Sequence, residues 1–174
     1  RTDIAKEAGW DKAPKTWDEL KQMAADMQKV DGVKYGMYLG PSGTDAFIGT
    51  LPFSYTAGAS LTDKNQSKWT FDDAGVKKGL EFTTSLYKDG VANVNADVSS
   101  ANFVSGDTPM MLQGPTAVSQ INELGGDGFE SKYATVVLPS MDESSGPATS
   151  FVGGSDLVTF KDSKNKQSAW KFIQ

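Results

Sequence analysis

The segment Pro14-Lys15-Thr16-Trp17-Asp18-Glu19 is a helix start, and the apolar stripe behind it limits the folds open to this chain. Thr16 offers a hydroxyl to the free amides of a first turn. Glu19, three residues on, completes a capping box. Losing such a cap costs about 1 kcal/mol. Trp17, Leu20, Met23, Ala24, Met27 and Val30 then recur at spacings of three and four. That is one apolar helical stripe, closed by Asp31-Gly32. A helix with a single apolar face has to bury it against another layer of structure.

The same grammar repeats along the chain. Asp72-Asp73 caps a second helix with Val76, Leu80, Thr83, Leu86 and Tyr87 on its stripe, closed by Lys88-Asp89-Gly90. Aromatic-rich residues 44 to 56 read as a buried helix. Residues 97 to 105 and 116 to 124 read as shorter helices, and a terminal helix starts at Ser163. Short apolar runs at 34 to 39, 108 to 112, 134 to 138 and 156 to 160 read as strands. Gly40-Pro41-Ser42-Gly43 is a turn between elements. Helices that outweigh short, separated strands predict an α/β layered lobe with a small mixed sheet. Trp17, Trp69 and Trp170 are assigned to packing, and Met110 and Met111 to core filling.

Composition narrows the function. The chain has 174 residues, fitting one ordinary core, and a net charge of −5. Phosphates of nucleic acid and anionic membrane surfaces repel such a surface. With no cysteine and no histidine, disulfides, thiolate chemistry, imidazole bases and His-ligated zinc are unavailable within these residues. The acids follow no EF-hand spacing, and no phosphate-cradling loop of the GxxxxGK[ST] or GxGxxG type occurs. No cofactor and no metal are expected. The sequence opens at Arg1-Thr2-Asp3 without a starting Met and stops in mid-pattern at Ser168 to Gln174, so a piece of a longer protein is expected.

Four stretches, taken in order, resemble the bacterial solute-binding proteins of sugar importers, the maltose-binding-like family. They are Pro14 to Leu20; Trp69-Thr70-Phe71-Asp72 through Leu86-Tyr87-Lys88-Asp89-Gly90; Phe103-Val104-Ser105-Gly106 with Pro109-Met110-Met111-Leu112-Gln113-Gly114-Pro115; and Gly153-Gly154-Ser155-Asp156-Leu157 with residues 161 to 166 and 169 to 173. The resemblance implies a periplasmic-binding-protein-like lobe. Residues 1–174 would be the C-terminal lobe of a two-lobe protein whose N-terminal lobe lies outside this chain. It implies reversible capture of a sugar or oligosaccharide in the cleft between lobes, for delivery to an ABC permease. It implies a monomer in an extracytoplasmic place, periplasm or cell surface, with any membrane attachment through a lipid anchor outside this chain.

A sugar site needs hydrogen-bonding groups for hydroxyls and aromatic faces for C–H patches, each aromatic contact giving about 0.5–1.5 kcal/mol beyond area burial. Micromolar binding needs about 8 kcal/mol in all, so several contacts must act together. The resemblance places the expected contacts at Thr44, Asp45 and Phe47, at Thr116, and at Gly153, Gly154 and Ser155, and Phe151, just before the glycine pair, is a further aromatic expected in the cleft. Each has a plainer reading. Asp45 fits the dipole at the start of a helix. Phe47 fits a core position, and Thr116 a helix cap. The glycine pair fits a tight turn before a strand. In many relatives the residue after Gly-Pro is a tryptophan that stacks on sugar, whereas here it is Thr116.

Two other classes compete. A glycoside hydrolase needs two carboxylates in one pocket, and Glu130, Asp142, Glu143 and Asp156 are available, with no spacing that pairs them. A polysaccharide-adhesion module needs no closing partner lobe.

Overall fold

The computed structural model describes residues 1–40, 43–95, 99–151, 153 and 156–174, with only the backbone of Thr44 and Asp45. Its helices are α1 (Thr2–Glu7), α2 (Trp17–Met27), α3 (Gly43–Thr56), α4 (Ala74–Lys88), α5 (Ser100–Ser105), α6 (Thr116–Gly125) and α7 (Lys166–Ile173), with a 3-10 turn at Phe129–Lys132.

The expected cap of α2 forms, with the Glu19 amide donating to the Thr16 hydroxyl at 3.2 Å. The reciprocal half slips by one residue, because the Glu19 carboxylate accepts from the Lys15 amide at 2.6 Å. The Thr16 and Trp17 backbone is instead tied to a distant segment, through a parallel bridge to Ser140 and a bond from the Trp17 amide to the Ser140 carbonyl. Asp73 caps α4 by accepting from the Gly75 amide at 2.7 Å.

The α2 stripe buries Trp17, Leu20, Met23, Ala24 and Met27, as expected. On α4, Val76, Thr83 and Leu86 are buried, but Leu80 points to solvent. The reason is Gly79. A Cβ there would lie 2.3 Å from the Ser54 hydroxyl and 2.6 Å from the Ser54 amide. The bare glycine lets α4 approach the α3 backbone, and that contact turns the neighbouring Leu80 outward. The main core joins Trp17, Leu20, Met37, Leu39, Phe53, Leu86 and Val91. A second core gathers Phe103, Ala117, Ile121 and Phe129, and a third joins Ala5 to Met23 and Met27.

The expected mixed sheet is not seen. Among the described residues the only pairings are isolated bridges: Thr16 with Ser140 and Tyr38 with Met111, both parallel, and Thr62 with Trp69, antiparallel. Segments 34–39 and 108–112 do run side by side, joined by the Lys34 amide to Asp107 and the Tyr38 amide to Met110. Two residues break the ladder. Gly36 lies under α2, where a Cβ would fall 2.0 Å from the Ala24 carbonyl oxygen. Pro109 has no amide to donate. Segments 134–138 and 156–160 find no strand partner among the described residues. Trp69 and Trp170 are also exposed rather than packed, Trp69 lying on Phe71 with ring centroids 5.3 Å apart.

Alanine is the better helix former by about 1 kcal/mol, so propensity alone favours Gly79→Ala. The contact with Ser54 predicts the opposite sign, a loss of about 1–3 kcal/mol from overpacking. Urea unfolding at unchanged m-value measures it. A neutral or stabilising result would mean that α3 and α4 do not meet at this glycine.

Candidate functional site

The parallel bridge between Tyr38 and Met111 sets the geometry. Two extended segments run in the same direction and end at one edge. Gly43, which opens α3, comes five residues after Tyr38, and Thr116, which opens α6, comes five after Met111. Two helix starts therefore face the same side of the lobe. The crevice beyond the carboxyl ends of parallel strands is where α/β folds take ligands.

Helix α3 leaves part of its first half open. Leu51, Phe53 and Ser54 are buried, while Phe47 is 48% and Ile48 45% exposed. The core reading of Phe47 is thereby overturned. Pro52 lies inside α3 and has no N–H to give to the Ile48 carbonyl, so an acceptor is left beside the exposed ring. Thr44 and Asp45 sit in the first turn of α3, and their side chains fall outside the described residues.

Thr116 is exposed, and it is the first residue of α6 rather than its cap. Pro115 occupies the cap position, where no side chain accepts from the helix. The capping reading of Thr116 is therefore set aside. The amides of Ala117 and Val118 turn back to the Gly114 and Pro115 carbonyls.

Phe151 comes near the other end of α3. Its ring is 6.5 Å from that of Tyr55, and it is half-buried. Thr149 is held to the last turn of α3, its amide donating to the Thr56 hydroxyl and its carbonyl accepting from it, both at 3.1 Å. Eight residues separate Phe47 from Tyr55, about 12 Å along a helix. The structure thus sets Phe47 and Phe151 along one helix without bringing them into contact. Gly153 is exposed, and a Cβ on it would meet the Phe151 ring at 2.8 Å. Gly154 and Ser155 lie outside the described residues.

One residue escaped the sequence reading. Tyr87, read only as part of the α4 stripe, donates its hydroxyl to the Leu39 carbonyl at 3.2 Å and the Gly40 carbonyl at 3.0 Å. It holds the backbone that leads into α3. Burial, with the neighbouring Tyr38 as a smaller cause, pushes its hydroxyl up to about 12.

The four acids weighed for hydrolysis are not gathered in a pocket. Glu130, Glu143 and Asp156 are exposed. Asp142 commits its carboxylate to the Ser144 and Ser145 hydroxyls, whose bonds hold it below the usual carboxylate range. Among the described residues no group of three or more acids could hold a metal. A groove of about 440 Å³ lies away from α3, between α1, α2 and α6, with Ala5, Met23, Met27, Met110, Ile121 and Val136 in its wall. Its apolar lining suits hydrocarbon better than hydroxyls.

The fold matches a known class. The sequence pattern of the bacterial extracellular solute-binding proteins matches residues 1–174, and the chain belongs to that family. It is 28% identical over 182 residues to a binding protein of Brucella abortus strain 2308 and, to the same extent, to one of Brucella suis biovar 1, covering 98% of this chain. The chain spans 41% of the length of those curated relatives. Among solved structures, the sugar-binding protein MalE of Xanthomonas citri superposes with a TM-score of 0.75 at 29% identity, covering 99% of this chain and 44% of that one. Maltose-bound MalE3 of T. maritima gives 0.68 at 25%, covering 80% and 37%. A solute-binding protein of Thermotoga lettingae shares the fold, with a TM-score of 0.73 at 24%, covering 99% and 45%. No helix among the described residues is long and apolar enough to cross a membrane.

Tyr87→Phe removes a hydrogen bond that one hydroxyl shares between two carbonyls and should cost about 1 kcal/mol. The alkaline limb carries a second signature. The folded hydroxyl titrates above its unfolded value, so its contribution is whole below pH 10 and is lost as pH rises towards 12. The gap in stability between wild type and Tyr87→Phe should narrow over that window in denaturant titrations. A constant gap would show that the hydroxyl is not buried beside Tyr38.

Proposed function

We propose that this chain forms one wall of a carbohydrate-binding cleft, in the C-terminal lobe of a two-lobe protein that captures a sugar or oligosaccharide for an ABC permease. The observation that carries the reading is the exposed turn at Phe47 and Ile48, set at the edge where α3 and α6 both begin. An aromatic face beside free backbone groups is what a pyranose needs, since it stacks its C–H face and bonds its hydroxyls at the rim. The sugar-binding MalE of Xanthomonas citri and the maltose-bound MalE3 support this ligand class.

In this reading Phe47 is the stacking face, and Thr116 donates to or accepts from a hydroxyl. Asp45 and Thr44 add polar contacts at the α3 start. Phe151 closes the far side, with Gly153, Gly154 and Ser155 as a bare backbone stretch that lets the ligand approach. Closure of the second lobe excludes water and completes the contacts. The protein is a monomer that works outside the cytoplasm, in the periplasm or on a lipid anchor. It performs no chemistry on its ligand.

The test is a thermal-shift panel of mono- and oligosaccharides on the full-length protein, because a ligand that binds only the folded state raises Tm. One sugar class should shift Tm. Phe47→Ala should weaken binding about tenfold, and Thr116→Val about fivefold, the worth of one hydrogen bond. No shift with any saccharide would overturn the ligand class. A shift that neither variant reduces would move the site away from this edge. Turnover of an aryl glycoside, abolished by one acid substitution, would favour a hydrolase.

A further inference from the structure

Pro52 stands inside α3, a helix that continues to Thr56. A proline there costs the helix one bond, because it has no N–H to give to the carbonyl four residues back. That carbonyl belongs to Ile48. Hydroxyls of the same helix go to other carbonyls. Thr50 donates to the Ala46 carbonyl at 2.8 Å, and Ser54 to the Thr50 carbonyl at 3.3 Å. Among the described residues no side-chain donor is found on the Ile48 carbonyl.

Its position matters as much as the missing bond. Ile48 is exposed with Phe47, whereas Leu51, Pro52, Phe53 and Ser54 are all buried. The helix passes from open to enclosed within one turn, and the Ile48 carbonyl lies at that boundary. A pyrrolidine ring crowds the oxygen four residues back, which bends a helix and tilts that carbonyl off the axis. Main-chain acceptors are strong and seldom stay unused in a folded protein. An acceptor without its helical donor, beside an exposed ring at the α3 and α6 edge, suits a ligand that brings its own hydrogen.

We propose that the main-chain carbonyl of Ile48, opened by Pro52, is a specificity-determining group of the cleft. It accepts a hydrogen bond from one ligand hydroxyl while Phe47 takes the adjoining C–H face. The proposal rests on the saccharide reading above and adds a direction to it. A carbonyl has only lone pairs to offer, so the ligand hydroxyl must donate, whereas the Thr116 hydroxyl can act either way. The Ile48 carbonyl therefore sorts ligands by whether one position carries a hydrogen. An alcohol fits there, and a fluorine or methyl ether on the same carbon does not.

The probe is the saccharide that gives the largest thermal shift with the full-length protein, together with its monodeoxyfluoro analogues. Fluorine withdraws the donor with little change in size. Pro52→Ala restores the amide and closes the helical bond to Ile48. In the unmodified protein at least one analogue should bind about tenfold more weakly than the parent sugar. In Pro52→Ala the parent itself should weaken about tenfold. The penalty at one fluorinated position should then vanish, while those at other positions stay. A mere change of bend would weaken the parent and every analogue by one common factor, and that result would overturn the proposal. So would an unchanged parent affinity, or no penalised analogue in the unmodified protein. Pro52→Val, which restores the amide and fills the space of the ring, serves if the alanine variant does not fold. If no saccharide binds at all, the sugar reading and this proposal fall together. If a saccharide binds and its analogue pattern survives both Pro52 substitutions, this proposal falls alone.

Discussion

Three aromatic rings from three helices meet at the centre of the lobe. Trp17 of α2 stacks on Phe82 of α4 at 4.7 Å and meets Phe53 of α3 edge-on at 5.5 Å, and the Phe53 and Phe82 rings lie 5.0 Å apart. Each pair is worth about 0.5–1.5 kcal/mol beyond the area it buries. Its larger effect is directional, because it fixes how each helix is turned. The indole N–H of Trp17 has no partner among the described residues, so the ring is held there by packing alone. Losing a stacked, fully enclosed ring therefore costs more than its own area.

The rotation of α3 is set by this contact. Phe53 is wholly buried, so its side of the helix faces inward. At 3.6 residues per turn, Phe47 lies six residues back and so about 120° away, and Ile48 about 140° away on the other side. Both must turn outward once Phe53 turns in. The exposed pair is thus a consequence of the core and not a packing failure. Gly79 reinforces this by letting α4 lie close on Ser54. Tyr87, on the same α4, reaches forward to Leu39 and Gly40. One helix thereby braces both the body of α3 and the backbone that leads to it.

Much of this was legible in the sequence where the signal is local. The cap at Thr16, the stripe of α2 and the bounds of α3 and α6 come from spacing within one element. What was not legible depends on a second element. Leu80 fits the stripe of α4, and only the approach of Ser54 to Gly79 shows why it faces out. Phe47 is an aromatic on a helix, and its exposure is decided only by where Phe53 points. Thr116 could cap or bind by composition, and the cap position of Pro115 decides against capping. The role of Tyr87 rests on carbonyls 47 and 48 residues away in sequence. The parts exposed at the edge where α3 and α6 begin are those that local rules read least well, because exposure is set by the neighbours that a helix lacks.

The fate of the apolar runs carries this further. Runs 34–39 and 156–160 look alike as sequence, yet one is enclosed and the other open. The difference is whether the chain supplies cover. Helices α2 and α4 and the residues after α4 close over Met37 and Leu39, whose backbone also receives a bond between the Met37 amide and the Val91 carbonyl. Among the described residues, nothing comparable lies over Leu157 or Phe160. A strand pattern is a statement about the surroundings a segment requires, and only the fold says whether they are present. Where they are not, the pattern still holds information, since an apolar run with both faces open specifies a partner apolar on two sides. The surface around Phe47 is open for another reason, since its ring turns outward because Phe53 turns in, whereas residues 157, 158 and 160 are apolar and exposed on both faces of one run.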